Sequence, residues 1–509
     1  MARTGSDEGT LKMSGGTVVI GDAPLTIDAL TAIARESRHV ILSPAARGRI
    51  GTARSVIELA IAENKPVYGL TTGLGAGVDT RLSADDLAAF QRRVAFARAV
   101  GVGDEMPVAE VRAMMAARIA GMSVGQTGVS LAVVEALAAA LNAGFHPIVP
   151  TIGSIGAADL APLAHMALAL LGEGQADYRG ERLAGAEALR RAGLQPVPIG
   201  PKDGHALVVA NAASTGRGAL ALAEARLALD TLDRAAALSM EAFGANITPL
   251  SEAVNAARPA PGQGEAARAI YALLAGGPLG DNKASRRVQD PLSFRCVAPV
   301  HGAARTAFAE AEAMVLLELN HSGDNPVIVE GQLVSNGNFD MTGFTLRFEA
   351  LSQALSHVAT ISAQRALKLM SPVYSDQPRF LTPMGQSRTG FATLQKAIGA
   401  LEGEIRARAQ PATLALLHAA DGVEDHAANA PAAVTKLGES AERLLVLAAC
   451  ELVVAAQSID LRGTVALGEG TTRIRDFVRA HVERLEEDRP SGPDVSRLAE
   501  AIRARGWGG

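Results

Sequence analysis

The chain has 509 residues, 48% of them hydrophobic and 20% charged, with a formal net charge of −5. That length supplies a large core and about three average domains, although large helical folds often run as one body. A net negative chain with no basic stripe, four tyrosines and one tryptophan lacks the charge and stacking platform of a nucleic-acid binder.

In chain order, residues 1–16 are polar and Gly-rich, without the basic start and apolar run of a secretory signal, and read as disordered. Two β-prone runs, 17–20 and 40–42, frame a mixed N-terminal region. In it 25–35, 55–63 and 83–99 carry apolar residues at three- and four-residue spacing, which predicts helices. From Ser214 the segments lengthen: 218–244, 303–319, 344–369, 393–408 and 432–458 are Ala- and Leu-rich and predict long helices that pack as a bundle. The fold class expected is mainly α. It comprises an N-terminal lid and active-site domain over 17–203, a central helical bundle domain over 204–480, and a charged tail over 481–509. The run 444–456 is interrupted by Cys450 and Glu451 and is shorter than the ~20 apolar residues that a bilayer requires. Cys296 and Cys450, the only cysteines, build neither a metal cluster nor a disulfide framework and fit a reducing compartment. We therefore expect a cytoplasmic protein acting on a small molecule, with no nucleic acid, membrane or metal as partner.

Five loops have residue types unusual for connectors. Tyr68-Gly-Leu-Thr-Thr-Gly-Leu-Gly75, continuing to Gly77, sets one phenol among glycines that permit close approach and positive φ. Gly153-Ser-Ile-Gly-Ala-Ala-Asp-Leu-Ala-Pro-Leu-Ala-His165 is a small-residue turn leading into a helix. In it Asp159 is a candidate cap and Pro162 is tolerable in the first turn. Val288-Gln-Asp-Pro-Leu-Ser-Phe-Arg-Cys296 offers Arg295, a planar fork suited to a carboxylate. The others are Ser322-Gly-Asp-Asn-Pro326 with Ser335-Asn-Gly-Asn-Phe339, and Glu424-Asp-His426 followed by Ala430-Pro431.

In order and spacing, from residue 17 to 462, this set resembles the histidine and aromatic amino-acid ammonia-lyase family. The resemblance implies a mainly helical fold with a long central bundle, and a homotetramer with shared active sites. It also implies roles: Tyr68 as the catalytic base or acid of the lid, Arg295 as the carboxylate clamp, Gln289, Phe339 and Asn325 in the substrate pocket, and Glu424 near a substrate imidazole. Departures are equally plain. Family members carry Ala-Ser-Gly before the Asp and cyclise it into a methylidene-imidazolone; here the loop runs Gly156-Ala157-Ala158-Asp159, one residue short and without the serine. Val209 stands near a supporting asparagine of the family, Leu292 replaces a tyrosine, Val423 a glutamine, and Arg98 the residue that reads the substrate ring. The expectation is a chain with no cofactor, the methylidene-imidazolone being absent.

A primary amine is a poor leaving group, whereas a quaternary ammonium already departs as a neutral amine. Elimination then needs a base, a carboxylate clamp and groups that stabilise charge spread into the ring. Ergothioneine, the trimethylbetaine of 2-thiohistidine, fits that need, and the departures look like those of ergothionases. Arg98 would face its sulfur, Glu424 its ring N–H groups, and His205 would line the same pocket, with Ala157, Ala158 and Asp159 contributing from the loop. Two alternatives stay open. One is a conventional histidine or aromatic amino-acid ammonia-lyase or aminomutase whose modified tripeptide is masked by collapse to one letter. The other is a catalytically silent paralogue serving as a binding or structural subunit. Bland roles compete as well. Arg92, Arg93 and Arg98 have the spacing of a solvated helix face, and His165, His301 and His357 sit in apolar helical surroundings that suggest core histidines.

Overall fold

A computed structural model describes residues 16–63, 70, 84–281, 285–412, 419–463 and 465–507. The expected disorder of 1–16 falls almost wholly outside them, and so does Tyr68. The chain divides into two units. The first comprises Met1–Ala223, Glu312–Leu346 and Ala412–Thr435, the second Glu224–Ala311, Arg347–Pro411 and Lys436–Gly509. Their elements are mainly helices.

In the first unit Thr17–Ile20 pairs in parallel with His39–Leu42. The helix between them, Ile27–Arg35, starts at Thr26, whose hydroxyl accepts from Ala29 N at 3.1 Å, the usual device for an unsatisfied helix-start N–H. The helix Val108–Ser123 is buried at every position from Val111 onward. Two arginines are therefore carried into the interior, where each needs a full set of acceptors. Arg112 donates to Ile33 O at 2.8 Å and to Leu141 O at 2.9 Å. Arg118 donates to Ala206 O and forms an ion pair with Asp324 at 2.8 Å. Asp324 also accepts from the Thr127 hydroxyl at 2.9 Å. An antiparallel pair, Val102–Glu105 with Pro150–Ile152, leads into the loop at 153–159. A hairpin, Val327–Val329 with Gln332–Val334, precedes residues 335–340.

The second unit holds the helices Leu394–Arg408, Glu469–His481 and Gly492–Arg505. The long helices Ala212–Phe243, Val297–Asn320, Thr342–Leu369 and Ala430–Leu461 contribute residues to both units, and they extend the helices expected from periodicity by a few residues at their ends. Alanine and leucine favour helix, and alanine lets backbones approach closely. Ala430–Leu461 and Asp203–Phe243 are long and apolar enough to cross a membrane by length and composition, yet 83% of each apolar window is buried inside the protein, as in core helices. Among the buried residues of this unit, Glu451 accepts from Arg365 at 2.6 and 2.9 Å, from Ser239 at 2.7 Å and from Ser362 at 2.6 Å. Both charged groups are fully buried. Of the three histidines expected in the core, His301 is completely buried against Asp233 at 2.6 Å, His165 is half-buried and accepts from Gly101 N at 3.1 Å, and His357 is exposed. The apolar neighbours of His357 in sequence lie on other faces of its helix.

Candidate functional site

The loop at 153–159 is held by three other segments of the first unit. Gly156 lies at φ +81°, and a Cβ there would come within 2.8 Å of Ala430 N. The same contact zone is closed by Asn429 N donating to Ile155 O at 2.8 Å. Ala157 pairs with Asp340 in an isolated antiparallel bridge. Ala158, at φ +56°, turns the chain, and Asp159 N donates to Ala210 O at 2.7 Å. Asp159 opens the helix Leu160–Leu170 but does not cap it with its side chain. Its carboxylate accepts instead from Ser214 N at 2.6 Å, Ser214 Oγ at 3.0 Å and Ser154 Oγ at 2.8 Å. The expected cap therefore serves the start of the helix Ala212–Phe243. Complete burial pushes the Asp159 carboxyl above its ordinary range, against the pull of Ser214, Ser154 and Arg217.

Beside this loop lies a cavity of about 20 Å³ lined by Arg118, Asn211, Thr215, Glu318, His321 and Asp324, among others. Asn211 is only 5% exposed; its amide donates to Phe339 O at 2.8 Å, and its Oδ1 has no hydrogen-bond partner. Burial first, then the charge of Asp159, pushes the Glu318 carboxyl up to about 7; a hydrogen bond from Asn211 opposes the rise and Asp340 adds to it. Phe339, half-buried, thus enters the site through its carbonyl. Asn325 is half-buried, and its Oδ1 accepts from Asn336 N at 3.0 Å, which fixes the turn. Glu424, also half-buried, pairs with Ala419 through its backbone. Nearby His426 reaches Asp340 at 3.2 Å and the Thr342 hydroxyl at 3.1 Å.

A second cluster brings Arg98 and His205 together. The short helix Asp203–Val208 packs so tightly on Ala84–Arg98 that a Cβ on Gly204 would fall 1.9 Å from Gln91 O. His205 N donates to Gln91 Oε1 at 2.9 Å. Lys202 is completely buried, with Nζ 2.8 Å from His205 Nδ1. Burial drives Lys202 down to about 7, with Asp324 opposing and Arg118 assisting. Burial also holds His205 well below its ordinary value, and the charges of Lys202, Arg118 and Arg98 add to that. Arg98 itself is half-buried, unlike Arg92 and Arg93, so it departs from the solvated face that their spacing suggests.

Gln289, Leu292 and Arg295 belong to the second unit. Gln289 is exposed, Leu292 is 61% exposed, and Arg295 is half-buried at the end of Leu292–Arg295. Its guanidinium forms no hydrogen bond or ion pair with the described residues, and a planar fork of this kind suits a carboxylate. Val423, 63% exposed, and Val209, half-buried, are the other departures from the family pattern.

The sequence profile of the aromatic amino acid lyase family matches residues 25–480. The chain belongs to that family. It is 35% identical over 488 residues to a histidine ammonia-lyase of Alkaliphilus metalliredigens, covering 95% of this chain and 96% of that one. It is 36% identical over 483 residues to the histidine ammonia-lyase of Symbiobacterium thermophilum, covering 94% and 95%. Among solved structures, the ergothioneine-degrading ergothionase of Treponema denticola superposes with a TM-score of 0.90 at 33% identity, covering 96% of this lyase and 99% of that chain. The histidine ammonia-lyase of Trypanosoma cruzi gives 0.89 at 28% identity, covering 96% and 93%. The fold is that of the histidine and phenylalanine ammonia-lyases, as expected.

Membership corrects the expected absence of a cofactor. Histidine ammonia-lyases and their aromatic relatives make a methylidene-imidazolone from their own chain, and the family match spans the loop at 153–159; this finding overturns the expectation drawn from the loop's spelling. Positions 157 and 158 present methyl groups, not the serine from which the group is made, and the Ser154 hydroxyl is committed to Asp159. The chemistry derived for this lyase therefore rests on its other residues.

Glu318, Lys202 and the Arg118–Asp324 pair were not evident from the motifs. The available signal for Glu318 was a lone carboxylate within the apolar run 313–319, a pattern that calls for a buried partner.

Proposed function

We propose that this carbon–nitrogen lyase removes an amine from a histidine-like amino acid by 1,2-elimination, and that its substrate is an imidazole betaine of the ergothioneine type, giving thiourocanate and trimethylamine. The observation that carries this choice is Arg98 beside His205 and the buried Lys202, since a guanidinium there suits the electron-rich sulfur of a thioimidazole ring. Likeness to the Treponema denticola ergothionase supports it. In this reading Arg98 and His205 face the ring sulfur and Glu424 the ring N–H groups. Arg295 takes the carboxylate, Gln289, Phe339 and Asn325 line the pocket, and Tyr68 removes the β-proton. The active enzyme is a cytoplasmic homotetramer with shared sites.

A second reading, release of ammonia from histidine, is supported by 35–36% identity to histidine ammonia-lyases along nearly the whole chain. Incubating the purified enzyme separately with ergothioneine, histidine and tyrosine, and following amine release beside the absorbance of the unsaturated acid, decides between them. Trimethylamine released from ergothioneine far faster than ammonia from either amino acid is the expected result. Efficient ammonia release from histidine assigns the second reading, and no turnover of any of the three overturns both.

A further inference from the structure

The helix Ala84–Arg98 ends on the residue that the proposed reading sets against the substrate ring, and its exit turn has an anchor of its own. Ala99 N donates to Ala95 O at 3.1 Å and Val100 N to Arg98 O at 2.9 Å. The next N–H, that of Gly101, donates to His165 Nε2 at 3.1 Å, and the strand Val102–Glu105 begins directly after it. A backbone N–H only donates, so Nε2 carries a lone pair and His165 is the neutral tautomer with its proton on Nδ1. Burial lowers the pKa of this imidazole and so keeps that lone pair available. The contact is tight. A Cβ on Gly101 would lie 3.0 Å from His165 Nε2 and 3.2 Å from Pro150 Cβ, and one on Gly153 would lie 3.0 Å from the Gly101 Cα. Gly101 is not in the left-handed region, so the space beside His165, and not its own φ, excludes a side chain there. At this point the exit of the Arg98 helix meets both the first residue of the loop at 153–159 and His165, which belongs to the helix Leu160–Leu170 that the loop leads into. Upstream, His205 N donates to Gln91 Oε1 at 2.9 Å and Arg92 donates to Glu173 at 2.7 Å. Gln91 precedes Arg98 by about two turns, ~10 Å along the axis, so those contacts hold the middle of the helix and His165 holds its end.

We propose that His165 is a positioning residue for Arg98: by accepting from Gly101 N it fixes the end of the Arg98 helix against the loop at 153–159, which sets where the guanidinium stands relative to that loop. His165 touches no reacting atom and acts through the Gly101 turn. The inference rests on the reading of Arg98 as the group that stabilises charge spread into the substrate ring. Such a group works by being in place before the charge develops, and a misplacement of about 1 Å can cost ~100-fold in rate. A neutral acceptor on a rigid ring, packed against a position that admits only glycine, supplies that placement.

Two measurements on the full-length enzyme test it. Hydrogen exchange followed by mass spectrometry needs no substrate. His165→Leu removes the acceptor and should speed exchange of the peptide spanning 99–102 by roughly 10-fold. His165→Gln, whose amide oxygen can accept from Gly101 N, should keep it slow. Unchanged exchange in His165→Leu, or equally fast exchange in both variants, overturns the anchor. The second measurement is a double-mutant cycle with Arg98, on whichever of ergothioneine, histidine and tyrosine the wild type turns over. His165→Leu should lower kcat by about 10–100-fold with KM little changed, which copies Arg98→Ala, while His165→Gln stays within a few-fold of the wild type. In the Arg98→Ala background His165→Leu should then cost almost nothing more, because the two act as one unit. Additive losses, or no rescue by glutamine, would mean that His165 serves packing alone and overturn the proposal. Gly101→Ala, which drives a methyl group into the imidazole, stands in for His165→Leu in both measurements if that variant does not fold. An unchanged kcat in Arg98→Ala rejects the reading of Arg98 and the positioning role with it. If none of the three compounds is turned over, the functional reading fails, while the exchange experiment still decides whether His165 holds the turn.

Discussion

Asp159 receives both the backbone N–H and the hydroxyl of Ser214, at 2.6 and 3.0 Å, so the residue that opens one helix caps the start of another. Ser154 adds a third donor. Asp159→Asn replaces a charged acceptor of three donors with a neutral one whose amide N–H₂ would face donors. We expect a loss of about 2 kcal/mol, the range for a buried hydrogen bond to a charged group, read as a lower urea midpoint. An unchanged midpoint would mean that the cap does not hold the loop to the helix.

The raised pKa of Glu318 has a consequence for stability. Its folded value, about 7, lies above its ordinary 4.5, so between those pH values the folded state binds the extra proton. Stability from this group is fully present below pH 4.5 and falls as pH rises toward 7, by up to about 3 kcal/mol at ~1.4 kcal/mol per unit. Glu318→Gln removes the penalty. The variant should match or exceed the wild type in urea midpoint at pH 8 and gain nothing at pH 4.5; equal gains at both would show that packing, not charge, is responsible.

Lys202 works in the opposite sense. Its folded value, about 7, lies below its ordinary 10.5, so in that interval the unfolded chain binds the extra proton and stability increases with pH. The two windows meet near neutrality, and a plot of urea midpoint against pH should show a minimum there. Lys202→Met should flatten the rise on the alkaline side. If that limb keeps its slope, another group is responsible for it.

Arg295 is half-buried yet unpaired among the described residues. Arg295→Lys should cost on the order of 2–3 kcal/mol in kcat/KM, because lysine is a point donor and not a fork, with little change in melting temperature. A large loss of melting temperature with catalysis intact would place Arg295 in a structural ion pair.

The bidentate pair of Arg365 and Glu451 is completely buried. Arg365→Met alone leaves a buried, unpaired carboxylate and should destabilise by about 3–5 kcal/mol, whereas Arg365→Met with Glu451→Leu should recover most of that. A double variant as unstable as the single one would show that Ser239 and Ser362 have become the costly orphans.

The helices were legible because Ala- and Leu-rich stretches repeat at the helical period, and both strands of the first β pair were marked by their β-branched residues. The loop at 153–159 and the Asn325, Phe339 and Glu424 segments stood out by composition, and three of these meet in the first unit. The destination of the Asp159 carboxylate was not legible, since nothing near it in sequence names Ser214. Glu318 looked like one polar position on a long helix, because burial by residues a hundred or more positions away leaves no local trace. His357 misled in the reverse way: its sequence neighbours are apolar, but they line other faces of the helix.

The helix Val108–Ser123, with two arginines in its buried stretch, also bears on how the protein is made. Arg112 finds its acceptors at Ile33 and Leu141, within a stretch that leaves the ribosome early. Arg118 waits for Asp324, 206 residues later, which at ~5–20 residues per second is roughly 10–40 s of synthesis. Until then the carboxylate that pairs with it in the folded protein has not been made. The packing of this helix is therefore completed only when a segment from the second half of the chain arrives.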